Sequence, residues 1–203
     1  MKIINLGGVG GCRITDYLIQ TNIRNVAYPF DWNNTNQFFP IDTIVSKGKQ
    51  YYSFKDQYVI TPKHLISPCN NAFLCHDFDG DWTIKKQIVN QKYQRRLQRL
   101  LTKFDSSDKI YFVREVIEEK EFRDHDDVFD YIPTFRVVDD KISEWEKFMD
   151  YCSLNRDGKT KLILFTVNPN LKSKRDDIEI VLWDRATGPE TIMKETFMRI
   201  HNE

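Results

Sequence analysis

Short apolar runs of strand length alternate along this chain with longer segments in which apolar side chains recur every three or four positions. Several of the runs are continuous rather than alternating, a pattern typical of strands that are covered on both faces. The periodic segments are typical of helices that bury one side. The runs predict the strands Lys2–Leu6, Gln57–Thr61, Ala72–His76, Lys109–Arg114, Lys161–Val167 and Ile178–Trp183.

The longest helix is predicted over Trp82–Phe104, where the apolar residues keep helical spacing. Asp81 is a suitable N-cap for it, and the polar run Asp105-Ser106-Ser107 is suited to end it. Further helices are predicted over Arg13–Gln20, over Ile142–Ser153 and from Pro189 onward.

The alternation of strands and helices predicts an α/β fold. We expect one three-layer-type domain over residues 1–203, with a mostly parallel central sheet and helices on both faces. Residues 1–115 carry the chemical motifs, and the strands and helix of residues 135–203 complete the sheet. A chain of 203 residues is long enough to bury a substantial core.

The charges of the chain are balanced, with thirty Lys and Arg against thirty Asp and Glu, so they predict no nucleic-acid partner. No apolar stretch approaches the roughly 20 residues of a membrane span, and the first residues do not form an apolar signal segment. We therefore expect a cytoplasmic protein with reduced thiols and no membrane partner. The four cysteines lack zinc-module spacing, so no metal and no other cofactor is predicted. The composition leaves the oligomeric state open.

The candidate chemistry begins at Cys12, which follows the first predicted strand and a glycine-rich turn and stands at the start of a helix. The orphan N–H groups and the dipole of a helix N-terminus favour negative charge, so a thiol there ionises more readily. Cys12 is the predicted nucleophile, with a small core residue as the alternative. The turn does not complete a dinucleotide fingerprint, because Arg13 occupies the third glycine position, and it lacks the ending of a P-loop.

Two other reactive side chains stand at the ends of predicted strands. His76 ends one strand, and Arg114 ends another. Because ligands bind outside the carboxyl ends of the strands in open α/β sheets, we expect Cys12, His76 and Arg114 to share one rim. An imidazole can take a proton from a thiol near neutral pH and return it to a leaving group.

The acidic run after His76 leaves two alternatives open. In the first, His76 caps a strand and the aspartates begin the next helix. In the second, Asp77, Asp79 and Asp81 bind a divalent cation. Alternate residues of an extended segment point the same way, so the three aspartates would converge and His76 would not join them.

Asp31 stands between two large aromatic residues, Phe30 and Trp32. Pro29 keeps this segment extended, and the aromatic side chains can anchor it by burial. A desolvated carboxylate needs a cationic or hydrogen-bonding partner, and an imidazole N–H or an arginine would serve.

Five segments taken in order resemble the putative papain-like cysteine peptidase family, a domain of unknown function with bacterial and viral members. The resemblance implies that Cys12 is the nucleophile and His76 the base. We choose Asp31 to orient His76, with Asp77 and Asn168 as the other candidates. The turn has extra glycines and no asparagine beside the thiol, so the N–H groups of Gly11 and Cys12 replace a side-chain oxyanion donor. The resembling segments are Leu6 to Cys12, Tyr28 to Trp32, His76 to Phe78, Lys92 to Leu97 and Ile110 to Arg114.

One feature departs from papain. The histidine of papain lies on an antiparallel, barrel-like sheet, whereas a helix of more than twenty residues follows His76. Such a helix is typical of a parallel crossover, so we expect a Rossmann-like sheet.

A basic stripe runs along the long predicted helix. Lys92, Arg95, Arg96 and Arg99 lie three or four positions apart. Arg95 is expected on a solvated surface, whereas Arg96 and Arg99 flank core positions. If Arg96 joins Arg114 at the rim, the two guanidinium groups form a site for a carboxylate or phosphate.

The leading hypothesis is a cysteine hydrolase that acts on a peptide, isopeptide or other acyl bond through Cys12, His76 and Asp31. The alternative is a phosphoester or sugar-nucleotide enzyme with an arginine-lined anion site, with or without a metal. A non-catalytic binding module is the third hypothesis. The expected partner is a peptide or a small acyl or anionic substrate. The predicted substrate contacts are Gly10, Gly11, Arg96, Arg114 and Asp77.

Overall fold

A computed structural model describes residues 2–8, 11–24, 26–49, 59–60, 65–67, 72–74, 82–116 and 139–203. The strands in these ranges are Lys2–Gly8 (β1), Asn33–Thr35 (β2), Val59–Ile60 (β3), Leu65–Ser67 (β4), Ala72–Leu74 (β5), Ile110–Glu115 (β6), Thr160–Thr166 (β7) and Ile178–Leu182 (β8). The helices are Gly11–Gln20 (α1), Phe38–Val45 (α2), Trp82–Phe104 (α3), Ile142–Asn155 (α4) and Glu190–Asn202 (α5).

The central sheet is parallel throughout, in the order β1-β6-β7-β8. Because successive side chains of a strand point to opposite faces, each strand contributes to two cores. One core contains Tyr93, Leu100, Trp145 and Phe148 of α3 and α4, and the other contains Phe197 of α5 and residues of α1. The predicted three-layer α/β arrangement, with helices on both faces, is confirmed.

A second, antiparallel sheet has the order β2-β5-β4-β3. The strand predicted at Ala72–His76 belongs to this sheet, as Ala72–Leu74, and not to the parallel one. The expectation that this strand ends at the same edge of the same sheet as β1 and β6 is therefore wrong. Strands of two or three residues are too short to show a period, so the sequence pattern could not separate them from the central sheet.

Most predicted helices are confirmed, and α3 has the predicted bounds of Trp82–Phe104. Helix α2 was missed because it is apolar at every position except Asp42 and Thr43, so it shows no amphipathic period. Asn36 stabilises its start by accepting a hydrogen bond from the N–H of Phe39 at 3.1 Å. The predicted N-cap Asp81 lies outside the described residues. None of the helices in the described ranges has the length and apolar character needed to cross a membrane.

Arg114 ties the two sheets together. Its side chain is completely buried, and all five of its N–H groups have acceptors within the chain. Two bind the carboxylate of Asp140, at 2.5 and 2.8 Å. The others bind the carbonyl oxygen of Leu6 in β1 at 3.1 Å, and the hydroxyl and carbonyl oxygens of Thr35 in β2 at 3.3 and 2.9 Å. The ring of Trp145 lies 5.2 Å from the guanidinium carbon.

This geometry corrects the expectation that Arg114 faces a rim. The strand continues one residue further, to Glu115, and Arg114 points to the face that α4 covers. No donor of the guanidinium remains for a substrate anion, so we assign Arg114 a structural role in place of the predicted substrate contact.

Replacing Asp140 by asparagine should lower the free energy of unfolding by about 3 kcal/mol, because the buried cation of Arg114 then loses its counter-ion. Urea denaturation followed by tryptophan fluorescence measures this loss. Glu144→Gln is the matched control, since the partner of Glu144 is the 72% exposed side chain of Lys147. The control should change stability by less than about 0.5 kcal/mol. Equal losses of unfolding free energy in the two variants would contradict the role of Arg114 in joining the two sheets.

Candidate functional site

The turn that leads to Cys12 requires glycine at two positions. Gly7 and Gly8 have φ values of +77° and +110°, which side chains strongly disfavour. A Cβ atom at Gly7 would overlap the hydroxyl of Thr35, and one at Gly8 would overlap the carbonyl oxygen of Glu115. The chain therefore passes directly against β2 and β6 as it leaves β1.

Cys12 is the second residue of α1 and is half-buried. The first turn of a helix carries N–H groups without intrahelical partners, which favour negative charge, and the first turn of α1 contains no acidic residue. Gly11 begins the helix as its first residue. The predicted substrate contact Gly10 lies outside the described residues.

The other described free cysteine, Cys152, provides a contrast. Its side chain is 1% exposed on the inner face of α4. Burial raises the pKa of its thiol to about 12, so it stays protonated at neutral pH. Of these two thiols, Cys12 is the one that a reagent or substrate can reach.

Asp31 is completely buried and has a cationic partner, as its aromatic neighbours predicted; of the two alternatives, imidazole or arginine, the structure shows an arginine. Its Oδ1 accepts hydrogen bonds from Arg24 at 2.9 Å and from the hydroxyl of Thr15 at 3.2 Å. Its Oδ2 accepts a bond from the backbone N–H of Tyr28 at 2.5 Å. The side-chain amide of Asn5 donates in turn to the Thr15 hydroxyl at 3.1 Å.

This network joins β1, α1 and the aromatic loop in front of β2. Asn5 also accepts a bond from the N–H of Gly7 at 2.9 Å, so the network reaches the glycine turn itself. The carboxylate of Asp31 therefore fixes the position of the helix that carries Cys12. Whether it also orients His76 stays a prediction, because His76 and Asp77 lie outside the described residues, as do Asp79 and Asp81. Within the described ranges, no group of three His, Cys, Asp or Glu side chains could hold a metal ion.

The sequence analysis missed Glu115, the last residue of β6. It alternates with Arg114, so it points to the opposite face of the sheet, where α1 and Cys12 lie. Its side chain is 4% exposed, and its Oε1 accepts a hydrogen bond from the guanidinium of Arg13. The sequence does carry a signal for Glu115. Arg114 and Glu115 are adjacent and oppositely charged at the end of a buried strand, and because neighbouring side chains of a strand point to opposite faces, one of them must face each helix layer.

One oxygen of the Glu115 carboxyl group lacks a hydrogen-bond partner among the described residues, although Arg13 balances the charge. Burial raises its pKa from 4.5 to about 6, and the charge and hydrogen bond of Arg13 oppose this shift. Its second oxygen, Oε2, is buried and has no hydrogen-bond partner among the described residues. A buried acceptor without a donor is costly and marks a place where a ligand can supply one.

Arg96 is another group with an unsatisfied buried atom. As predicted, it is largely covered, with 8% of its surface exposed, and its guanidinium lies 5.2 Å from the ring of Tyr93. One of its terminal nitrogens is buried without an acceptor in the described parts of the chain. The neighbouring Arg99 donates to the carbonyl oxygen of Ala27, whereas Arg95 is exposed, as predicted. The structure does not bring Arg96 and Arg114 into a common anion site, because Arg114 is enclosed.

Glu115→Gln should change the pH dependence of stability. The folded protein holds the proton of Glu115 more tightly than the unfolded chain, so this group stabilises the fold below about pH 4.5 and the contribution is lost as the pH rises through about 6. The free energy of unfolding of the variant, relative to the unsubstituted protein, should therefore rise by about 1.5 kcal/mol between about pH 4.5 and 6.5. Urea denaturation over this pH range measures the difference. A constant difference would contradict the raised pKa, and Glu144→Gln is the control.

Comparisons with known proteins place the chain in a family. Neither the curated proteins nor the solved structures returned a match. A family model described as "Putative papain-like cysteine peptidase (DUF1796)" matches residues 1–138, which include Cys12, Asp31, His76 and Glu115. This match confirms the resemblance that the ordered segments indicated. The chain belongs to the family of putative papain-like cysteine peptidases.

Proposed function

We propose that the protein is a cysteine hydrolase that cleaves a peptide, isopeptide or other acyl bond, with Cys12 as nucleophile and His76 as general base and acid. One observation carries the proposal: two obligatory glycines deliver a half-buried, accessible thiol into the first turn of α1, at the carboxyl edge of a parallel sheet. Membership of the peptidase family supports the same reaction class.

The reaction proceeds in two steps. The thiolate of Cys12 attacks the substrate carbonyl carbon, and the N–H groups of Gly11 and Cys12 donate to the resulting oxyanion. As the C–N bond breaks, the imidazolium of His76 gives its proton to the leaving amine. Water then gives a proton to His76 and adds to the thioester carbon, the C–S bond breaks, and the thiolate is restored. Gly10 and Gly11 are the proposed substrate contacts in this turn.

The reach of the chain supports the role of His76. Leu74 of β5 pairs with Asn33 of β2, and the carbonyl oxygen of Asn33 lies next to Gly7. His76 follows Leu74 by two residues, and two residues of chain span at most about 7 Å. The sequence position of His76 is therefore compatible with a site beside the glycine turn.

Asp31 is our proposed orienting group for His76. Three donors already bind its carboxylate, and a carboxylate can accept about four, so one site remains for an imidazole N–H. Of the other candidates, Asn168 already uses its side-chain oxygen to accept a bond from the N–H of Asn170. Asp77 remains a proposed substrate contact.

A second candidate function, an enzyme for phosphoesters or sugar nucleotides, is favoured by one observation. Arg96 carries a buried guanidinium nitrogen without an acceptor, which suits a phosphate or carboxylate. Against it, Arg114 is enclosed and cannot complete an anion site with Arg96. A non-catalytic binding module would keep its function after joint replacement of Cys12 and His76.

Iodoacetamide labelling at pH 6.5 tests the nucleophile. Cys12→Ala should abolish labelling, whereas Cys152→Ala should not change it, because that thiol is buried and its pKa is raised. Cys69→Ala and Cys75→Ala should also leave the labelling intact. His76→Ala should slow the labelling of Cys12 about tenfold, because the thiolate loses the imidazolium that stabilises it. Mass spectrometry of the labelled peptides gives the rate for each thiol.

The matched control for the histidine is His201→Ala, since His201 is exposed on α5. Equal labelling of the Cys12→Ala protein would remove Cys12 as the reactive thiol. Equal rates in the two histidine variants would remove His76 from the proposed pair.

Inorganic phosphate tests the anion site of the second candidate. At constant ionic strength, phosphate should raise the Tm of the unsubstituted protein by a few degrees, because it binds the folded state alone. Arg96→Met should remove this shift, and the exposed neighbour Arg95 serves as the control through Arg95→Met. If Arg96→Met retains the shift, phosphate binds elsewhere and the second candidate loses its support.

A further inference from the structure

Arg13 links two unsatisfied groups at the carboxyl edge of the parallel sheet. It follows Cys12 in the first turn of α1, and its guanidinium binds Oε1 of Glu115. The same guanidinium lies over the ring of Trp183, with 5.8 Å between its central carbon and the ring centroid. Trp183 follows the last residue of β8. These contacts gather side chains from both the centre and the edge of the sheet around the helix that carries Cys12.

One of these groups is an acceptor without a donor. Oε2 of Glu115 is buried, and no group in the described ranges donates to it. The register places Glu115 opposite Gly8, four residues before Cys12. The strand alternation that encloses Arg114 on one face directs Glu115 to the face of α1.

The other group is a donor without an acceptor. The indole Nε1 of Trp183 is buried and finds no acceptor in the described parts of the chain. Trp183 also borders an open cavity of about 520 Å³, whose other walls come from the last residue of β8 and from the segments that follow β7 and β8. A ligand at this edge therefore has room beside Trp183, and Arg13 connects Trp183 to Glu115.

We propose that Glu115 and Trp183, the two groups in contact with Arg13, form a subsite that binds one peptide unit of the substrate beside Cys12. Oε2 of Glu115 accepts a hydrogen bond from the amide N–H of that unit, and Nε1 of Trp183 donates one to its carbonyl oxygen. The inference rests on the proposed function and names its substrate class, an acyl compound with an amide N–H next to the bond that is cleaved.

Charge balance favours an amide over an ion at this subsite. Arg13 already neutralises Glu115, so the pair does not require a further cation. An added anion would face the carboxylate, which the pKa of about 6 leaves largely ionised at neutral pH. A neutral N–H donor satisfies the unpaired oxygen without burying a net charge.

The test compares how fast three neutral reagents alkylate Cys12 at pH 7. Iodoacetamide has two amide N–H groups, 2-iodo-N-methylacetamide has one, and 2-iodo-N,N-dimethylacetamide has none. Rates are divided by those of glutathione, which removes differences in intrinsic reactivity. The two reagents with an N–H should react about tenfold faster with Cys12 than the dimethyl reagent, which matches one hydrogen bond to a charged acceptor.

Three substitutions separate the contacts. In Glu115→Gln, only the amide oxygen can accept from Arg13, so Nε2 takes the place of Oε2 and the preference for N–H reagents should fall below about twofold. Glu115→Asp keeps the negative charge, but its shorter side chain moves the carboxylate oxygen away from the reagent, so the preference for N–H reagents should be lost in this variant as well. Trp183→Phe should slow all three reagents by the same factor and keep the preference. Glu144→Gln, on the opposite face of the sheet, should match the unsubstituted protein.

The outcomes distinguish the two proposals. No preference in the unsubstituted protein, or a preference that survives both Glu115→Gln and Glu115→Asp, would overturn the subsite and leave Cys12 as the nucleophile. A preference lost in Glu115→Gln alone would assign the effect to charge and would also overturn the subsite.

A Cys12 that reacts no faster than glutathione with every reagent would overturn the proposed function, while the ratio between the reagents still tests the subsite. Circular dichroism of each variant confirms folding, and the comparison in the unsubstituted protein needs no variant.

Discussion

The buried guanidinium of Arg114 holds the two sheets of the protein in one arrangement. Its five donors reach the carboxylate of Asp140, the backbone of Leu6 in β1 and both oxygens of Thr35 in β2. A buried cation is stable only when its donors are satisfied, so these contacts depend on one another. Because Thr35 also packs against Gly7, the ion pair sets the path of the turn that leads to Cys12.

The same strand defines the site on its other face. Arg114 and Glu115 are neighbours in β6, and the alternation of side chains sends the first into the core below α4 and the second towards α1. The Asp31 network anchors α1 as well, through Thr15 of the helix and Arg24 of the segment that follows it. Cys12 stands in the first turn of this helix, next to Arg13, which binds Glu115. The thiol is thus positioned by groups that do not themselves react, while the unsatisfied oxygen of Glu115 remains at the same edge.

The sequence predicted the parts of this arrangement that depend on long apolar patterns. The parallel strands, the bounds of α3 and the cysteine turn all follow from spacing and from glycine. The need of Asp31 for a cationic or hydrogen-bonding partner follows from the cost of burying a carboxylate, but the sequence did not distinguish an arginine from an imidazole. The small antiparallel sheet was not predictable, because strands as short as Val59–Ile60 carry no period. Arg114 was assigned to a rim because the predicted strand ended one residue early. Because β6 continues to Glu115, Arg114 lies inside the strand with its side chain under α4, and Glu115 is the residue that ends the strand.

The account depends most on an ionised thiol at Cys12 supported by His76. The ultraviolet absorbance of the thiolate, recorded against pH as the difference between the unsubstituted protein and Cys12→Ala, measures this directly. We expect Cys12 to titrate well below the pKa of about 8.5 of an ordinary thiol, and His76→Ala to move the titration back towards that value. A titration near about 8.5 that is unchanged by His76→Ala would contradict the thiolate–imidazolium pair.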